Sequence, residues 1–146
     1  MRSVKFEIPG EPKGKGRPRF AKRGNYVQTY TPDATANYEN LVKVMYYNAG
    51  GKQKLEGPLA VRIDAFFQIP KSKSKAVQNE MRTHWQRPTI KCDVDNIAKI
   101  VLDGLNNVAF DDDKQVVQLV VLKWYDDRPR VVVSVREIQE RSTDNV

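Results

Sequence analysis

An α+β domain, with a mixed β-sheet packed by a few helices, is the architecture these 146 residues should adopt. Three observations lead there. Apolar residues alternate with period two near both ends and in the middle of the chain, which marks strands. Two stretches with helical periodicity lie between them. Hydrophobic residues make up 40% and charged residues 29%, enough for one core in a chain of single-domain length.

Val4 to Ile8 alternate and form a first strand. From Pro9 to Pro18 there are three Gly and three Pro, so the basic residues of this stretch lie on a loop or an edge strand. Tyr26 to Tyr30 returns as a short strand. Thr31-Pro32-Asp33 opens a helix, with a Thr cap and Pro at the first helical position. That helix runs to about Ala49, where Gly50-Gly51 stops it, and buries Tyr38, Leu41, Val42, Met45 and Tyr46. Leu59 to Ile69 is the longest strand, with Val61, Ile63, Ala65 and Phe67 on one face. Ser72 to Trp85 is a basic helix or loop that Arg87-Pro88 breaks. Ile97 to Leu105 is helical. Val116 to Tyr125 and Arg130 to Ile138 are two strands joined by the tight turn Asp126-Asp127-Arg128-Pro129. Trp124, the Val-rich last strand and Trp85 read as packed residues, and Cys92 as a small buried hydrophobe. The domain spans 1–140, and 141–146 is a frayed polar tail.

Composition excludes several classes of function. The single cysteine, Cys92, forbids an internal disulfide and a cysteine-built zinc site, and the single histidine, His84, leaves no His-rich metal centre. No apolar run approaches the roughly 20 residues that span a bilayer. The opening MRSVKFEIPGEPKGK lacks a signal peptide's apolar stretch, so the expected location is the cytoplasm. A net charge of +7 favours a polyanionic partner.

The charge is segregated. Residues 1–30 hold Arg2, Lys5, Lys13, Lys15, Arg17, Arg19, Lys22 and Arg23 against Glu7 and Glu11, a balance of +6. Residues 70–91 hold Lys71, Lys73, Lys75, Arg82, Arg87 and Lys91 against Glu80, a balance of +5. Residues 93–113 invert this: Asp93, Asp95, Asp103, Asp111, Asp112 and Asp113 stand against Lys99, a balance of −5. Solvated faces explain each run singly. Together they describe a polyanion-binding surface around an acidic pocket, and acid facing phosphate calls for a divalent cation.

The helix after Asp93 sharpens this. At about 100° per residue, Lys99 falls roughly 40° and Asp103 roughly 80° from Asp95, so the polar face is narrow and the rest apolar. Asp95, Lys99 and Asp103, spaced by one turn each, can satisfy one another. Asp93 and Asp95 point the same way in an extended lead-in, and Asp112 and Asp113 end a short loop before a strand. The expectation is that Asp93, Asp95 and one of the latter pair converge beside the helix start. All-oxygen ligation suits Mg²⁺ or Mn²⁺, and a Lys one turn from Asp95 would reach a scissile phosphate. That is a toolkit for metal-assisted phosphodiester hydrolysis. The plain alternatives stay open: Asp93 or Asp95 as a helix cap, Lys99 as a salt-bridge partner, and Asp111 to Asp113 as a solvated turn.

The stretch Asp93-Val94-Asp95-Asn96, Lys99, Asp103-Gly104-Leu105-Asn106, then Asp112-Asp113-Lys114-Gln115-Val116, resembles the RusA family of Holliday junction resolvases, small phage-associated endonucleases. The basic opening, Gly10-Glu11-Pro12 through Arg17-Pro18-Arg19, is similar to the start of many members. The resemblance implies a RusA-like fold and a crossover junction endodeoxyribonuclease acting in recombination and repair. It implies Asp93 and Asp95 as metal ligands, Lys99 as the catalytic lysine, and Asp113, or its neighbour Asp112, as the third carboxylate. The implied cofactor is Mg²⁺, with Mn²⁺ able to substitute. The implied assembly is a homodimer on four-way junction DNA, each subunit nicking one of two opposed strands to leave ligatable 5′-phosphate ends.

Lys13, Lys15, Arg17, Arg19, Lys22 and Arg23, with Lys71, Lys73 and Lys75, are the expected phosphate contacts. Tyr26 and Tyr30 are either base-stacking or ordinary sheet residues. Phe66-Phe67 and Val117 to Leu122 are apolar candidates for a dimer interface. Two rival readings remain: a basic DNA- or RNA-binding protein with a structural Asp cluster, and a metal-dependent nuclease for other branched DNA.

Overall fold

The structure is a computed structural model that describes residues 2–16, 19–30 and 32–140. The expected tail 141–146 lies outside them.

The sheet assembles from β1 (Ser3–Pro9), β4 (Leu59–Gln68), β5 (Val116–Asp126) and β6 (Arg130–Glu137) in the order β1-β6-β4-β5. β4 and β5 run parallel; the other neighbours are antiparallel. A separate two-stranded ribbon joins β2 (Arg19–Arg23) to β3 (Tyr26–Tyr30) through Gly24-Asn25. Gly24 sits at φ +62, where a residue without Cβ carries no steric cost, as two-residue hairpin turns require. Three helices complete the chain: α1 (Asp33–Asn48), α2 (Lys75–Arg82) and α3 (Val94–Leu105).

Alternation on the strands places the core. Leu59, Val61, Ile63, Ala65 and Phe67 of β4 join Val131, Val133 and Val135 of β6 and Phe6 and Ile8 of β1, all buried. Tyr38, Val42 and Tyr46 of α1 and Ile97, Ile100, Val101 and Leu105 of α3 close over them, with Leu41 and Met45 half-buried beside them. Phe6 meets Tyr46 edge-on at 5.7 Å. The two helices approach closely at Gly104, where a Cβ would lie 2.9 Å from the Val42 Cβ. The opposite face of the sheet carries Lys5, Arg62, Asp64, Phe66, Trp124 and Arg130 and is open.

Several local expectations are corrected. β5 and β6 are not a hairpin: β4 lies between them, so the turn Asp127 to Pro129 bridges two strand spacings, about 9.6 Å. A short turn between two apolar runs defaults to a hairpin, and nothing local reports a third strand in the gap. α3 starts at Val94, three residues earlier than its apolar pattern. The basic segment forms a short helix capped by the Ser74 hydroxyl, which accepts from the Val77 N–H. Pro32 stands at the N-cap of α1, with helix from Asp33. Trp124 is half-buried on the open face instead of in the core, Cys92 is half-buried, and Trp85 is exposed.

Candidate active site

α3 presents the acidic motif. Its N-cap is Asp93, whose backbone is extended (φ −71, ψ 152) and whose side chain makes no capping bond. The carboxylate is therefore free of the structural duty that a cap would give it. Asp95 sits in the first turn and Lys99 one turn on; both are exposed. Among the described ion pairs and hydrogen bonds, none engages the side chain of Asp93, Asp95 or Lys99.

Lys99 does not pair with Asp103 as its spacing suggested. Asp103 is taken by Lys15, whose Nζ lies 3.0 Å from Asp103 Oδ2 and 2.5 Å from Glu39 Oε1. Burial works against the Lys15 charge, but Glu39 and Asp103 outweigh it and raise its pKa. Lys15 is thus a clamp between α1, α3 and the Gly-rich loop, engaged by two carboxylates where a phosphate contact was expected. The loop is bound at further points: Lys15 N–H to the Asn96 carbonyl at 3.0 Å, and Gly16 N–H to the Thr35 hydroxyl at 3.1 Å. The Cys92 thiol donates to the Pro12 carbonyl at 3.5 Å. Gly14 passes so near α3 that a Cβ there would meet Cys92 Cβ at 2.9 Å. Burial pushes the Cys92 thiol up, while Lys123 and Lys13 pull against it and Asp93 adds to it. Two ammonium groups, Lys123 and Lys13, and two carboxylates, Asp93 and Glu11, therefore act on Cys92, two residues ahead of α3.

The other acidic segment folds on its own logic. The Gln115 side chain accepts from the Asp111 and Asp112 N–H groups at 3.1 and 3.2 Å and donates to the Gly57 carbonyl. Asp112 Oδ1 accepts the Lys114 N–H, which lowers its pKa. Asp111 pairs with Lys54. Asp112 is thus occupied as a cap, and Asp113 is exposed and enters no described ion pair.

This acidic turn does not meet Asp93 and Asp95. It follows Phe110, which bridges to Asn106 at the C-terminal end of α3, whereas Asp93 and Asp95 are at its N-terminal end. Twelve helical residues, about 18 Å, separate them. Among the described residues no three Asp, Glu, His or Cys side chains are grouped to hold a metal ion. The expected convergence within one chain is therefore corrected: Asp93 and Asp95 share a location, and Asp112 and Asp113 lie elsewhere.

With the geometry in place, comparison supplies kinship. The profile described as Endodeoxyribonuclease RusA matches residues 9–136. The chain belongs to the RusA endodeoxyribonuclease family. A Bacillus subtilis (strain 168) protein, named uncharacterized protein YqaN, is 35% identical to it over 140 residues, covering 94% of this chain and 99% of that protein. The fold expected of a RusA-family chain, α+β with a mixed sheet, is the one found.

The remaining basic residues of this RusA-family chain divide. Lys13 and Lys22 are exposed. Arg17 and the side chains of Arg19 and Arg23 lie outside the described residues. Lys71, Lys73 and Lys75 are exposed, while the Gln78 amide holds the carbonyls of Lys71 and Lys73. Sequence reasoning missed one construction beside the site. Arg87 stacks 3.6 Å over Trp124, His84 lies 4.6 Å from the same ring, and the Trp124 indole donates to Asp64. No helix among the described residues is long and apolar enough to cross a membrane.

Proposed function

We propose that this protein is a divalent-metal-dependent endonuclease that resolves four-way DNA junctions by paired nicks, working in the cytoplasm as a homodimer with Mg²⁺ or Mn²⁺. The observation that carries the proposal is the free edge of α3. Asp93, Asp95 and Lys99 stand exposed and without described partners at the start of one helix, in a family of endodeoxyribonucleases. Leaving two carboxylates and an ammonium unpaired on a helix with Asp103 one turn away makes sense when a ligand completes them.

The donor type fits a hard cation, since Asp93 and Asp95 offer only oxygens. When bound, the cation supplies Lewis acidity and neutralises phosphate charge. Asp93 and Asp95 hold it. The Lys99 ammonium donates to a non-bridging oxygen of the scissile phosphate and stabilises the charge that grows there. Water adds to phosphorus, the bond to the 3′ oxygen breaks, and a 3′-hydroxyl and a 5′-phosphate remain. Lys13 and Lys22 hold flanking phosphates.

The third carboxylate, Asp113, enters through the dimer. Strand β5 is the edge of the sheet, and Val117, Leu119 and Val120 on it are exposed. A second copy pairing antiparallel along β5 across a two-fold axis carries the partner's Asp113, just ahead of β5, toward the Trp124 end of this copy's β5. At that end Lys123 donates to the Ile90 carbonyl, three residues before Asp93. The arrangement also gives two equivalent sites for two equivalent strands.

The test is a synthetic mobile junction with Mg²⁺ or EDTA, comparing wild type with Asp95→Asn. Paired nicks are expected with Mg²⁺ and none with EDTA. Asp95→Asn should cut roughly 100- to 1,000-fold more slowly and still bind the junction. Binding without cutting under any divalent metal turns the reading to a binding protein, and equal cutting of linear duplex turns it to a general nuclease.

A further inference from the structure

We propose that Trp85 is a stacking platform for an unstacked nucleobase of the bound DNA, beside the cleavage site; this rests on the DNA-junction reading above. Trp85 is 84% exposed, the highest value among the described large apolar side chains. Its indole is the largest apolar surface a side chain offers, and here nearly all of it is open to contact by a ligand.

The fold holds it there by construction. His84 and Arg87, on either side of Trp85 in sequence, both pack on the Trp124 ring of β5. Arg87 Nε also donates to the Lys123 carbonyl at 2.6 Å. The backbone between is fixed: the N–H groups of Trp85 and Gln86 both donate to the Glu80 carbonyl, at 2.8 and 3.2 Å. His84 adopts φ 70, the left-handed region that a β-carbon disfavours. His84 and Arg87 thus both pack on one tryptophan, Trp124, and the same two residues hold the other, between them in sequence, outward on a hydrogen-bonded turn. Rigidity matters for a stacking surface, since little side-chain freedom remains to be lost on contact.

The surroundings select the occupant. Residues 70–91 carry a balance of +5, from Lys71, Lys73, Lys75, Arg82, Arg87 and Lys91 against Glu80, and the first three are exposed with no described ion pair. An exposed aromatic face on a lysine-rich segment matches a base and the phosphates of the strand that carries it. Eight residues lead from Trp85 to Asp93, and the Lys123 bond to Ile90 ties that stretch to β5. DNA seated at the start of α3 therefore passes within a few nucleotides of the indole. Intact duplex offers no free base face; a branch point does.

The experiment uses the two tryptophans as reporters. A fluorescein-labelled four-way junction is titrated with full-length protein in EDTA, following DNA anisotropy and tryptophan emission together. Subtracting the Trp85→Phe spectrum isolates Trp85. Expected are quenching of the Trp85 emission as anisotropy saturates and less quenching with blunt linear duplex. Trp85→Ala should bind the junction roughly 5- to 150-fold more weakly, Trp85→Phe within about 3-fold of wild type, and both with an unchanged salt slope because no phosphate contact is lost. Saturating anisotropy without quenching overturns the stacking role and leaves the junction reading standing. No anisotropy change with any DNA overturns both. Trp85 emission already blue-shifted in the free protein, in proportion to its concentration, overturns the proposal in favour of burial between two copies.

Discussion

Ion pairing separates two lysines that look alike in the sequence. Lys15, in the most basic stretch, is held by Glu39 and Asp103; Lys99, among aspartates, is free of described partners and exposed. With Asp103 taken by Lys15, Lys99 is left without that partner, as its proposed contact with the scissile phosphate requires. Lys99→Ala should accordingly lower the single-turnover cleavage rate roughly 100- to 1,000-fold and change junction affinity little; an unaltered rate returns Lys99 to the role of a surface charge. A second residue reports on stability. The Glu56 N–H, then the Arg2 side chain and N–H, hold the Glu137 carboxyl down at about 2. A depressed carboxyl stabilises the fold above its unfolded pKa and loses that contribution as pH falls through the folded value. The Glu137 carboxyl resonance should therefore titrate near pH 2 by NMR, with stability from this group intact above about pH 4.5. A midpoint at the ordinary glutamate value would refute the network.

Helices α1 and α3 are joined by the Lys15 clamp between Glu39 and Asp103 and by close contact. Gly104 permits it: a Cβ there would lie 2.9 Å from Val42 Cβ and 3.1 Å from the Glu39 carbonyl. Gly104→Ala gains helix propensity of about 1 kcal/mol but forces backbone apart, an overpacking cost of about 1–3 kcal/mol. The expected net loss, up to about 2 kcal/mol, is readable as a lower urea midpoint at constant m-value. The acidic motif around α3 was legible along the chain because helical spacing is local. The Lys15 clamp was not, since residues 15, 39 and 103 belong to three separate segments. The ribbon partner of β3 was hidden for a different reason: Arg19 to Arg23 lacks the apolar alternation that marks a strand packed on a core, and its Phe20 is 72% exposed.

At the scale of the whole molecule the question is how many copies make a site. Asp113 stands a helix length from Asp95, so the proposed pairing of β5 edges predicts complementation between two inactive proteins. Asp95→Asn and Asp113→Asn variants should each cut negligibly. Mixed and re-equilibrated, they form heterodimers with one intact site and one doubly altered, and nicking of a single junction strand should return. Failure to recover any nicking in a verified heterodimer sinks the shared site.

Strand and helix content, the mixed sheet, the basic opening and the acidic motif all follow from period, spacing and turn chemistry, which act over a few residues. Strand order, the clamp on Lys15, the outward turn of Trp85 and the distance between the two acidic groups are settled only when segments far apart in sequence pack together. Patterns along a chain report which face of an element is buried. Which elements meet there depends on the packing of all of them at once, and that is why Asp113 looked like a neighbour of Asp95 and is not one within a single chain.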